Sequence, residues 1–202
     1  YISIAGALGI TGEKGGRPVF PFNILADYAG GGMHAAVGIL AALMARERTG
    51  KGQYVDIAMV DGVISLIHLP VSQYFQSGRV PQRGEEMLGG GIPHYNVYQT
   101  KDGKYLGVGA LEPWFFQSLC RTIGREDLIP LQWSSEKRDE IFSIFRETFL
   151  SKTRDEWFEL FKSTESCVTP IYSLDEVFSD PHVTQRDMVM ELDHPKLGKV
   201  KQ

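Results

Sequence analysis

The passage that most restricts the fold is a carboxylate, Asp27, set between an apolar run over residues 20–26 and three consecutive glycines, Gly30, Gly31 and Gly32. Glycines strip the backbone of side chains just past the acid and let other groups approach closely. Residues 35–43 are apolar again, so the pattern predicts a helix starting directly after the glycines. Asp is a favoured helix starter because its side-chain oxygen accepts the free first-turn N–H groups. Read locally, Asp27 is therefore a capping or near-capping residue.

The helix is expected over residues 33–48, where Ala, Leu, Ile and Met dominate and Thr49-Gly50 supplies the stop. Being apolar on most faces, it is expected to be buried. Gln53-Tyr54-Val55-Asp56-Ile57 alternates and reads as a short strand. A second apolar helix is expected from Met59 to about Phe75, kinked or ended by Pro70. A helix, a strand and a helix point to an α/β layer. Residues 77–93 turn rich in Gly, Pro, Arg and Gln, with Gly89, Gly90 and Gly91 near the end, which predicts a linker and a mobile loop.

Beyond that loop, Tyr95 to Gln99 and Lys104 to Val108 flank Asp102-Gly103, the strongest hairpin signal in the chain. Amphipathic helices are expected over residues 113–123, 136–150 and 154–161, the last opened by a capping box of Thr153 and Glu156. Residues 168–172 read as extended. Ser173 and Glu176 cap a short helix ending near Asp180-Pro181, and residues 188–202 read as a hairpin turning near Leu197-Gly198. The organisation expected is an α/β part over 1–76, a linker with its glycine loop over 77–94, a small α+β domain over 95–187, and a C-terminal hairpin over 188–202 leading back to the larger domain.

Composition narrows the function classes. With 202 residues, 43% of them hydrophobic and 11% aromatic, the chain can build a core. A formal net charge of −4 and no Lys/Arg run leave nucleic-acid binding without an electrostatic footprint. Cys120 and Cys167 form no C-x-x-C pair and are expected as buried thiols in a reducing compartment. No signal peptide is visible, and the longest apolar stretch, 35–45, is only about half of the ~20 residues that span a bilayer. A soluble protein that does not associate with membranes is the expectation, cytoplasmic by default, with peroxisome or mitochondrion as alternatives for a eukaryotic source. No metal cluster, P-loop or dinucleotide fingerprint occurs in the sequence.

Pro18 to Asp27, the triple glycine, Ala35 to Leu43, Arg46, Thr49-Gly50-Lys51-Gly52-Gln53 and Val55-Asp56 together resemble the family III CoA-transferases, a family that also contains the α-methylacyl-CoA racemases. The resemblance runs from Tyr1 to about Arg186. It implies part of the family's large α/β domain followed by a small α+β domain. It also implies an acyl-CoA thioester as substrate, no cofactor or metal, and an interlocked homodimer. Family members carry a long segment ahead of the position of Tyr1, so the chain is expected to be a fragment, inactive alone. In the racemases that segment holds a catalytic histidine.

Asp27 matches the catalytic aspartate of both branches. In a transferase it is a nucleophile that forms a mixed anhydride and then an enzyme-bound thioester. In a racemase it is one of two acid/base groups flanking the α-carbon of a 2-methylacyl-CoA. Glu112-Pro113 resembles the racemase pair that supports the histidine, a carboxylate fixing an imidazole tautomer. Its bland alternative is a carboxylate favoured at a helix start, with Pro113 at the first helical position. Gly89, Gly90 and Gly91 resemble the loop that covers the transferase active site, and an interdomain linker is the equal alternative. The racemases usually show Asp at the position of Gly89 and an aromatic at that of His94. His34, His68, His94, His182 and His194 are expected to be structural or solvent-facing, His94 the weakest such assignment. Ser166 to Pro170, Arg154 to Trp157 and Tyr98 to Tyr105 resemble the racemase versions of those segments. Three readings stand: a racemase-like isomerase, a CoA-transferase with Asp27 as nucleophile, and a non-catalytic binding or structural subunit.

Overall fold

A computed structural model describes residues 1–202. Its elements in chain order are α1 (Ala7–Ile10), a π-helical segment (Ile24–Met33), α2 (His34–Thr49), α3 (Met59–Leu66), α4 (His68–Ser77) and a 3-10 turn (Met87–Gly89). There follow β1 (Tyr95–Gln99), β2 (Tyr105–Gly109), α5 (Pro113–Thr122), a 3-10 segment (Glu126–Leu131), α6 (Arg138–Phe149), α7 (Arg154–Phe161) and β3 (Val168–Pro170). The chain closes with α8 (Leu174–Val177), α9 (Pro181–Gln185), β4 (Glu191–His194) and β5 (Gly198–Lys201). The architecture is mixed α/β.

The hairpin forms where Asp102-Gly103 predicts it. β1 and β2 pair antiparallel from Tyr95↔Gly109 to Gln99↔Tyr105, and Gly103 takes φ 76° at the turn. β3 joins the free edge of β2 antiparallel, with Val108 opposite Val168. Helix periodicity supplies the other half of this core. α5 offers Phe116, Leu119 and Cys120, α6 offers Ile141, Phe145 and Phe149, and α7 offers Trp157 and Phe161, each set spaced three or four residues apart. Together with Tyr98, Leu106, Val108 and Val168 they form a continuous buried cluster. Phe149 is its hub, its ring centroid 5.1 Å from Tyr98 and 5.5 Å from Trp157. The two polar handles inside are satisfied: Tyr98 donates to the Pro93 carbonyl at 2.6 Å, and the Trp157 indole donates to that of Phe149 at 2.9 Å.

The Thr153–Glu156 capping box is present. Arg154, inside the helix it opens, is 3% exposed and makes two 2.7 Å contacts to Glu176. The guanidinium holds the Glu176 carboxyl well below the usual range. This pair fastens α8 to α7. Beyond the expected stop at Asp180-Pro181 a further helix, α9, begins, capped by Asp180 through the amides of His182 and Val183.

The first 77 residues depart further from expectation. Residues 53–57 form no strand, because a strand needs a ladder partner and both sheets are built from residue 95 onward. They lie against α2, where Gly38 leaves room for Val55 and Ile57. The helix expected from Met59 breaks at Ile67, placing Pro70 in the first turn of α4; its ring would clash with the Leu66 carbonyl in an unbroken helix. α2 has no buried residue, with Val37, Leu40 and Met44 all more than 60% exposed, so the expected burial is not met. Nothing in these 202 residues lies over its remaining faces. Ile24–Thr49 runs as 26 helical residues, long and apolar enough by length and composition to cross a membrane, with 6% of its apolar window buried. That exceeds the half-span read from residues 35–45 alone. An apolar core helix awaiting its cover meets the same test.

Candidate active site

Asp27 does not precede its helix. It lies four residues into a π-helical segment, whose wider turns are rare and frequent at functional sites. The reason is the contact with α3. A Cβ on Gly30 would stand 3.0 Å from the Val63 nitrogen and 3.1 Å from the Met59 oxygen, and one on Gly62 would collide with the Gly30 carbonyl. The glycines thus serve a backbone-to-backbone packing, with Ala26 and Val63 buried beneath it. At the far end His34 Nδ1 donates to the Ala29 carbonyl at 2.7 Å, which places the proton on Nδ1. Ahead of the segment Phe22 takes φ 58°, a left-handed backbone that costs a non-glycine residue of order 1 kcal/mol. The Asp27 carboxylate itself is exposed.

Glu112 occupies the turn from β2 into α5. It is the N-cap residue (φ −72°, ψ 144°) with Pro113 first in the helix, yet its side chain makes no capping bond. The extended backbone follows from Pro113, which bars its predecessor from the helical region. The carboxylate is exposed and lies near Cys167, whose thiol is pushed up by partial desolvation of the sulfur and then by the Glu112 charge. Cys167 is exposed, contrary to expectation, and holds φ 49° while its carbonyl accepts from Gly109 at 2.9 Å. Cys120 is buried as expected, its thiol pushed up to about 12 by burial.

The glycine loop is tied to its surroundings. Glu86 pairs with Arg79 at 2.5 Å, and its backbone carbonyl accepts from both Gly89 and Gly91. Asn96 donates to the Gly90 carbonyl at 2.6 Å, and Gly90 takes φ 90°. Gly91 lies too close to Glu85 for any side chain. Arg83 reaches back to the carbonyls of Gly9 and Gly16. The three glycines line one side of a polar cavity of about 930 Å³, and Arg138 and Arg146 of α6 line the other. A second, apolar cavity of about 490 Å³ lies between α1 and α4.

Asp27 and Glu112 line neither cavity, and no hydrogen bond or ion pair joins them. The structure brings Glu112 to Cys167 and the glycines to α6, but does not bring Asp27 to either. His94 is buried at 1% exposure and not solvent-facing, with both ring nitrogens unpartnered. It packs edge-on against Phe116 at 5.1 Å and Trp133 at 4.7 Å. Burial, and secondarily the Arg138 charge, push its pKa down to about 4. Gln132, unremarked in the sequence, donates to the Leu111 carbonyl at 2.9 Å, next to Glu112.

The family model for CoA-transferase family III matches residues 1–202. Among curated relatives the chain is 40% identical over 188 residues to the human alpha-methylacyl-CoA racemase, covering 92% of this chain and 49% of that protein. It is 28% identical over 204 residues to the human succinyl-CoA:glutarate CoA-transferase, covering 98% of this chain and 46% of that one. The chain therefore spans about half the length of the curated relatives it matches. Among solved structures, a CAIB/BAIF family protein from Brucella suis superposes with a TM-score of 0.74 at 23% identity, covering 98% of this chain and 56% of that one.

Proposed function

The chain belongs to CoA-transferase family III, and from that premise we propose that it carries acid/base machinery for inverting the α-carbon of a 2-methylacyl-CoA thioester. The observation that carries this reading is Glu112. A carboxylate placed to cap α5 leaves the cap unmade and stands free at a rigid strand-to-helix turn. Such a group suits a partner that arrives from outside the helix, here an imidazole whose tautomer it would fix. The higher identity to a racemase than to the glutarate transferase supports the same branch.

In the proposed mechanism the proton beside the thioester leaves to one group, giving a planar enolate, and a second group returns a proton to the opposite face. Asp27 serves one face. A histidine oriented by Glu112 serves the other, and the resemblance puts it ahead of the position of Tyr1. The CoA thioester is the substrate, and neither metal nor cofactor takes part in these steps. Because Asp27 and Glu112 are exposed and share neither cavity, we place the complete site in a homodimer of family-length chains, and these 202 residues alone are expected to show no turnover.

A CoA-transferase is the second reading, favoured by Gly89-Gly90-Gly91, an unbroken glycine loop facing an open polar cavity. There Asp27 would attack the thioester carbon, release CoA thiolate and leave an acyl-aspartyl anhydride. Proton NMR of the family-length enzyme with a 2-methylacyl-CoA in deuterated water separates the two. Loss of the α-proton signal without an acceptor acid supports inversion, and Asp27→Asn should then abolish it. Consumption of acyl-CoA only when a carboxylate acceptor is added would assign the transferase.

A further inference from the structure

We infer that Gln132 is a positioning residue for Glu112, because its side chain fixes the peptide plane that delivers the Glu112 nitrogen. This rests on the reading of Glu112 given above. The Leu111 carbonyl and the Glu112 nitrogen belong to one planar unit. Holding that oxygen from the side at 2.9 Å therefore fixes the direction along which the Glu112 N–Cα bond leaves that plane, and φ about that bond is −72°. On the other side of Glu112 the Pro113 ring limits the remaining backbone rotation to the extended range, as the observed ψ of 144° shows. One residue earlier, Ala110, fully buried, donates to the His94 carbonyl at 2.8 Å. The Cα–Cβ direction of Glu112 is thus braced at three consecutive links, and Gln132 is the one contributed by a distant side chain.

Gln132 is itself held. On one side it follows the Glu126–Leu131 segment, whose Leu128 is 2% exposed and whose Leu131 packs on the main core. On the other side it precedes Trp133, whose ring stands at 86° to His94. A brace anchored at both ends transmits little slack, and a displacement of about 1 Å at a reacting group is enough to cost on the order of a hundredfold in rate.

The test is a double-mutant cycle on α-proton exchange in the family-length enzyme, with Gln132→Glu and Glu112→Gln made singly and together. Gln132→Glu keeps the shape and loses the donor while ionised. It is expected to lower kcat about tenfold with KM changed less than about twofold, and to add nothing in the Glu112→Gln background. Its deficit relative to wild type should shrink as pH falls and the introduced carboxyl regains a proton to donate. Gln132→Lys, which keeps a donor, should restore exchange to within about threefold and guards against a mere folding defect. Exchange unchanged in Glu112→Gln would overturn the reading of Glu112 and this role with it. Exchange impaired there, but with Gln132→Glu silent in wild type or equally damaging in both backgrounds, would overturn the positioning role alone.

Discussion

The two ends of the chain solve the burial problem differently. From β1 to β3, strands and helices supply their own cover, and fourteen buried residues form one cluster. Ahead of residue 77 the buried hydrophobic cluster is Ala5, Ala7, Ala26 and Val63, with Gly30 and Gly62 buried beside it, while α2 shows its apolar side to solvent. One region is held by side-chain volume, the other by glycine backbones in contact. Glu112 thus sits on a scaffold that buries its own apolar side chains, whereas Asp27 sits beside a helix whose apolar side chains are left exposed. Under the function proposed above, a proton-transfer site divided between them would be completed only on assembly.

The largest effect should come from breaking the strong side. Phe149→Ala removes a fully buried ring that touches four other aromatics, and should cost about 4 kcal/mol in a denaturant melt. An unchanged midpoint would show that the cluster does not carry this region's stability. The second effect is acid-sensitivity at His94. Its folded pKa of about 4 lies below the ordinary value of 6.5, so the unfolded chain takes up the proton first. Stability from this group is complete above about pH 6.5, falls as pH drops through the window, and levels off below about pH 4. The loss amounts to about 3 kcal/mol. Arg138 is the charge facing it, and Phe116 and Trp133 offer no hydrogen bond to an imidazolium. His94→Phe should abolish this component, so that the difference between the two pH–stability curves widens from pH 7 to pH 4. Parallel curves would refute it.

The weak side has one tight point. Gly62→Ala places a methyl against the Gly30 carbonyl and must push α3 away from the segment bearing Asp27. About 2 kcal/mol of destabilisation is expected. In the family-length enzyme, proton exchange should fall more than thermal stability does, since the same movement displaces Asp27. A loss of stability with exchange retained would separate the glycine contact from the site.

What the sequence disclosed follows the same division. The hairpin at Asp102-Gly103, α5 to α7 and the Thr153 capping box were legible because each is signalled by residues within a few positions of one another. The π-helical segment was not, since it depends on Gly30 meeting Gly62, thirty-two positions away. Burial of α2 and a strand at 53–57 were expected from local pattern, yet both need partners that local pattern cannot supply. α9 had its signal, Asp180 before Pro181, which reads equally as the end of one helix and the cap of the next. Of the candidate site, Asp27, Glu112 and the glycines were singled out through resemblance, and that Asp27 and Glu112 line neither cavity was not legible. Gln132 was invisible, a single amide among apolar residues whose meaning lies in a carbonyl twenty-one positions away.

The smallest effect is the most direct test of the contrast. Leu40 is 62% exposed on α2, so Leu40→Lys removes almost no contact within this chain. Its effect on the unfolding free energy of these 202 residues should stay within about 0.5 kcal/mol, the range of ordinary surface changes. The same substitution places a charge on the apolar face that a covering segment or second chain would bury, where an unpaired charge is costly. Sedimentation of the family-length enzyme should then show weakened assembly, alongside loss of exchange at Asp27. If assembly and exchange persist with lysine at that position, the exposed face of α2 is free surface in the assembled protein, and the helix bearing Asp27 needs no cover.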